Sequence, residues 1–141
     1  LLQTKVDILV RKHRTTCPFM LAEKRNNIVV FEDLGASTKG MYFTKFRQKY
    51  IIINNRLSDV WQRFVCAHEL GHDVLHAGMN RFFIDDHTFL ISGKYERQAN
   101  TFAVALLTSP NPIEADETIS AYFHRIEIPE EMLIYYKGAL N

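Results

Sequence analysis

His68-Glu69-Leu70-Gly71-His72 lies inside a segment, Ser58 to about His76 or Ala77, that carries the marks of one long helix. Ser58 is suited to cap its start, Asp59 puts a carboxylate where the helix dipole favours one, and Gly78 ends it. Trp61, Val65, His68, His72 and Leu75 follow one another at steps of three or four, so both histidines continue an apolar stripe that faces the interior. Residues four apart on a helix are turned by only about 40° and separated by about 6 Å, so the two imidazoles can reach one metal ion. Glu69 points about 100° away from His68 and about 60° from His72. Its carboxylate therefore stands beside the ion and can take a proton from a water without displacing it. One turn of helix supplies two ligands and a general base, the H-E-x-x-H arrangement. Chance produces this pattern in roughly one or two chains per hundred of this length, and the histidines are then core residues satisfied by hydrogen bonds.

A catalytic zinc site needs a third protein ligand and one open position. The best candidate is Glu96. It opens a second helix, roughly Tyr95 to Leu107, whose Ala99 and Ala103 are small enough for close packing on the first, near Gly71. Asn100 shares a face with Glu96 and is placed to hydrogen-bond one ligand imidazole. The blander alternatives are a first-turn carboxylate for Glu96 and a polar surface residue for Asn100.

Around this pair the chain reads as one α+β domain, residues 1–141. Leu2 to His13 is an amphipathic helix, and Pro18 to Asn26 a short one with Thr16 as its cap. Ile28–Phe31, Met41–Phe46 and Tyr50–Ile53 read as strands of a small antiparallel sheet, with a polar, glycine-bounded turn at 35–40. Residues 79–94 read as irregular, with short strands at Arg81–Ile84 and Thr88–Ile91. Ser109-Pro110-Asn111-Pro112 stops the second site helix, and helices at Ile113–Arg125 and Pro129–Ala139 close the chain.

Composition narrows the function further. A formal net charge of +1, with basic residues single or paired, gives no basic face and argues against direct nucleic-acid binding. No run of 18 apolar residues offers a membrane span. Cys17 and Cys66 match neither a zinc-knuckle spacing nor a disulfide framework and read as free thiols in a reducing, cytoplasmic compartment. The sequence starts at Leu1 rather than methionine, which leaves a preceding or removed segment open. Oligomeric state is not legible.

The stretch His68-Glu69-Leu70-Gly71-His72-Asp73-Val74-Leu75-His76, followed by Tyr95 to Leu107 with Glu96, Ala99-Asn100 and Phe102-Ala103, resembles the ImmA/IrrE family of metallopeptidases. That family pairs a HELGH-x-x-LH helix with a later E-x-x-AN-x-FA-x-x-LL helix, and the upstream Ile53-Asn54-Asn55 strand end is also similar. The resemblance implies a zincin-like, thermolysin-like fold with Zn2+ held by His68, His72 and Glu96. Many members carry a second glutamate where this chain has Gln98, and its absence favours Glu96 as the ligand. The family commonly acts on helix-turn-helix transcriptional repressors of phages and mobile elements, which would make this chain an anti-repressor.

The expected chemistry is hydrolysis of an extended protein segment, with Glu69 moving the proton, and the segment pairing with a sheet edge at 41–46 or 50–53. The competing reading is a zinc-stabilised regulatory protein that binds a repressor without cutting it. Glu69 leans toward catalysis, because holding the metal does not need it. His76 reads as a structural histidine at the helix end, with a fourth ligand or a hydrogen-bond partner as the alternatives. Cys66 reads as an inert buried thiol, and Phe82, Phe83 and Phe89 as satellite core. His87, Tyr122 and His124 could serve an oxyanion, but no spacing positions them.

Overall fold

The computed structural model describes residues 1–76 and 93–138, together with the backbone of 83–86. Its helices are α1 (Leu2–His13), α2 (Pro18–Lys24), α3 (Asp59–His76), α4 (Lys94–Thr108) and α5 (Ile119–Arg125), followed by a 3₁₀ helix at Glu130–Tyr135. The strands are β1 (Asn27–Glu32), β2 (Thr38–Lys45), β3 (Gln48–Asn54) and β4 (Phe83–Asp86). The α+β class stands, but the sheet is mixed rather than antiparallel. Its order is β1-β3-β2-β4, with β1 parallel to β3 and both β3 and β4 antiparallel to β2.

The cause of the mixed pairing lies in the link between β1 and β2. It passes over the end of β3 instead of forming a hairpin, and the buried Asn54 ties it down there. The Asn54 amide donates to the carbonyls of Gly35 and Thr38 at 2.9 and 2.8 Å, while its oxygen accepts from the backbone amides of Leu34 and Arg56. Gly35 sits at φ +82, a backbone conformation that residues with a side chain rarely adopt. β2 and β3 then join through a two-residue turn, Phe46-Arg47, both at positive φ.

This order also corrects the expected substrate edge. Residues 41–45 belong to β2 and 50–53 to β3, and both strands are paired on two sides. Among the described residues the outer strands are β1 and β4.

α3 is the centre of the molecule. From Phe64 to Asp73 every residue is buried, because α2, β2, β3 and α4 surround it. An alanine at Gly71 would bring its Cβ to 3.2 Å from the Ala99 backbone, so glycine lets α3 and α4 touch main chain to main chain. The Ser58 hydroxyl accepts from the Trp61 amide at the start of α3. α2 differs from expectation: it ends at Lys24, and its N-cap is Cys17, not Thr16, with Pro18 in the first turn.

The C-terminal elements are shorter than their apolar patterns suggest. Asp116 takes a positive φ, and Thr118 caps the following helix by accepting from the Ala121 amide, so α5 starts at Ile119 rather than Ile113. The last segment, expected as a helix at Pro129–Ala139, is the 3₁₀ helix ending at Tyr135. The expected strand at 81–84 corresponds to β4, shifted by two residues. The expected strand at 88–91, the helix end near Gly78, and the readings for Phe82, His87 and Phe89 lie outside the described residues, as does the Phe83 side chain.

Candidate metal centre

α3 presents His68, Glu69 and His72, all fully buried, with donor atoms within 4.8 Å of one another. α4 brings Glu96 across from the other side. Its carboxylate oxygens lie 3.1 Å from Nε2 of His68 and 3.0 Å from Nε2 of His72. The two helices run antiparallel, so residue pairs 68/100 and 72/96 meet in register. Glu96 keeps 25 % of its side-chain exposure, while both imidazoles have none, so the cluster opens toward solvent on the Glu96 side.

The outer nitrogens of the imidazoles are also held. Nδ1 of His68 lies 2.7 Å from Oδ1 of the buried Asn100. A carbonyl oxygen can only accept, so a His68 that bound metal through Nε2 would carry its proton on Nδ1 and donate it to Asn100. Nδ1 of His72 lies 3.0 Å from Nδ1 of His76. His76 thus stands behind His72, on the side away from Glu96, where it is a hydrogen-bond partner and no fourth ligand. Burial holds the His76 pKa below the ordinary imidazole value, against the hydrogen bond it donates to Gln98.

The model of the IrrE N-terminal-like domain family matches residues 22–134. The chain belongs to the ImmA/IrrE family. This ImmA/IrrE chain is 41 % identical over 107 residues to a protein named "Uncharacterized immunity region protein 2" of Bacillus phage phi105, covering 76 % of the chain and 68 % of that protein. It is 29 % identical over 130 residues to Metallopeptidase ImmA of Bacillus subtilis (strain 168), covering 85 % and 76 %. Family membership implies a metal cofactor and a metallopeptidase role.

The residues of this ImmA/IrrE chain fit such an ion on their own chemistry. Two imidazole nitrogens and one carboxylate converge from two rigid helices, with both imidazoles backed at Nδ1 by hydrogen-bond partners and both Nε2 atoms turned to the Glu96 carboxylate. If Asn100 orients His68 as this geometry implies, Asn100→Ala is expected to weaken metal affinity by about 10- to 100-fold. Competition with a chromogenic chelator measures it. An affinity equal to wild type would leave Asn100 with a packing role alone.

Gly40, read from sequence only as the end of a turn, is part of this centre. It lies within β2, directly against Glu69. A Cβ on Gly40 would fall 2.6 Å from Val65 Cγ1 and 2.9 Å from Glu69 Oε2, closer than real atoms approach. Only glycine lets the strand pass there without moving the carboxylate. A lone glycine inside a β-branched and aromatic run is the signal that could have revealed it.

Tyr122 and His124, the oxyanion candidates among the described residues, sit on α5 beyond the far end of α4. Tyr122 is buried and donates to the carbonyls of Thr108 and Asn111, past the far end of α4. Twelve helical steps lead from Glu96 to Thr108, about 18 Å. His124 is exposed on α5. Cys66 is fully buried, which pushes its thiol pKa up and suits the inert reading. Both cysteines are free thiols.

Proposed function

We propose that this chain is a zinc-dependent endopeptidase that cuts a protein substrate, a helix-turn-helix transcriptional repressor, and so acts as an anti-repressor in a reducing cytoplasm. The observation that carries the reading is the fully buried Glu69 standing beside two converging imidazoles and a part-exposed carboxylate. Zinc suits a nitrogen and carboxylate donor set of this size. When bound, the ion would polarise the scissile carbonyl and favour ionisation of a water. His68, His72 and Glu96 would hold it.

Glu69 would then accept the water's proton at a carboxylate oxygen and return it to the leaving amine. The 41 % relative, named for a phage immunity region, supports a repressor of that kind as the substrate. A motif helix packed on a mixed sheet supports a zincin-like domain spanning 1–141. The scissile segment would bind extended along β4, the outer strand next to β2 among the described residues. No helix among the described residues is long and apolar enough to cross a membrane.

The test is to incubate the zinc-loaded protein with the helix-turn-helix regulator encoded beside its gene and to weigh the products by intact-mass spectrometry. Two fragments whose masses sum to the regulator plus one water are expected. A chelator should stop the cut, and added zinc should restore it. A regulator that is bound but stays whole at every zinc concentration would overturn the reading in favour of a non-catalytic regulator.

A further inference from the structure

His76 is 4 % exposed and the Tyr95 ring packs 4.8 Å from its own, so the imidazole has one orientation. Its Nδ1 faces His72 Nδ1 at 3.0 Å, and its Nε2 faces Gln98 Oε1 at 2.8 Å. We infer that His76 and Gln98 form a two-step relay that fixes His72 as an Nε2 metal ligand, as Asn100 does for His68. The inference rests on the metal-centre reading of His68, His72 and Glu96.

The chemistry leaves one arrangement. Two facing imidazole nitrogens make a hydrogen bond only when one donates and the other accepts. His72 must keep the Nε2 lone pair toward the metal, so its proton sits on Nδ1 and is donated to His76 Nδ1. His76 then carries its own proton on Nε2 and donates it to Gln98. The Gln98 oxygen, being an amide carbonyl, can only accept. Reversing any one bond leaves two donors or two acceptors facing each other. With Nε2 of His72 given to the metal, the relay ends on Gln98, on α4, two residues past Glu96. One helix supplies the carboxylate and the supports for both imidazoles.

Gln98 and His76 are positioning residues, and their role is measurable without catalysis. Zinc affinity is read by chelator competition on the full chain, for wild type and for His76→Leu, His76→Asn and Gln98→Leu. His76→Leu removes the acceptor and should weaken binding by about 10- to 100-fold. His76→Asn puts an amide oxygen near the lost Nδ1 and should recover most of that loss. Gln98→Leu, at a half-buried site that tolerates an apolar side chain, should weaken binding about 10-fold. In the zinc-loaded protein, nitrogen-15 shifts should show the His76 proton on Nε2.

A His76 proton on Nδ1, or His76→Leu and Gln98→Leu both binding zinc like wild type, would overturn the relay while leaving the metal centre intact. Failure of the wild type to bind zinc would overturn the metal centre itself.

Discussion

Glu69→Gln should cut substrate at least about 10²-fold more slowly than wild type while holding the same amount of zinc. The substitution is nearly isosteric and removes only the capacity to accept a proton. A factor of 10² corresponds to about 2.7 kcal/mol of transition-state stabilisation, the lower end of what a positioned general base contributes. Folding should survive, because Glu69 is fully buried and an amide costs less to bury than a charge. Metal should survive, because His68, His72 and Glu96 converge without it. Glu96→Ala is the contrasting control, with zinc lost along with the activity. The measurements are single-turnover cleavage of the regulator and elemental analysis on one preparation. Cleavage at the wild-type rate would remove Glu69 as the base, and loss of zinc would make it a ligand instead.

The parts of this design that the sequence discloses are those written within one helix. The i, i+4 spacing of His68 and His72 and of Glu96 and Asn100 is fixed by helix geometry, so facing residues could be named before their distances were known. Gly71 with Ala99 and Ala103 indicated where the two helices touch, and the 3.2 Å approach of Gly71 to the Ala99 backbone is that contact. What stayed hidden depends on atoms from separate elements. The parallel pairing of β1 with β3 follows from Asn54 binding a loop that crosses the sheet, and Asn54 reads as an ordinary strand end. Gly40 serves Glu69 from a strand 29 residues earlier in the chain. Gln98 points to a partner 22 residues back, which no period within α4 reports.

Asp73 is the plainest case, and it carries the second large expectation. Nothing in the local sequence pattern marks Asp73, directly after the motif, as buried, yet its side chain is completely buried. Arg25 at the end of α2 donates from Nε at 2.6 Å, and Asn27 from β1 at 3.1 Å. Tyr42 from β2 donates its hydroxyl at 2.9 Å, and Lys49 from β3 its ammonium at 3.0 Å. Burial by itself would raise the Asp73 pKa, but Arg25, Asn27 and Lys49 outweigh it and hold the carboxylate ionised. One carboxylate thus bolts α3 to four other elements, one residue from His72. Asp73→Ala leaves two cations, an amide and a hydroxyl around an empty space. Breaking a buried ion pair in this way costs about 3–5 kcal/mol. Because Arg25 and Lys49 retain 29 % and 24 % exposure and can turn to water, about 3 kcal/mol is the expected loss. Asp73→Asn, which keeps the shape and one acceptor, should lose less. Urea unfolding of metal-free wild type and both variants measures this, and a loss under about 1 kcal/mol for Asp73→Ala would show that the cluster is solvated and contributes nothing to the seating of the metal helix.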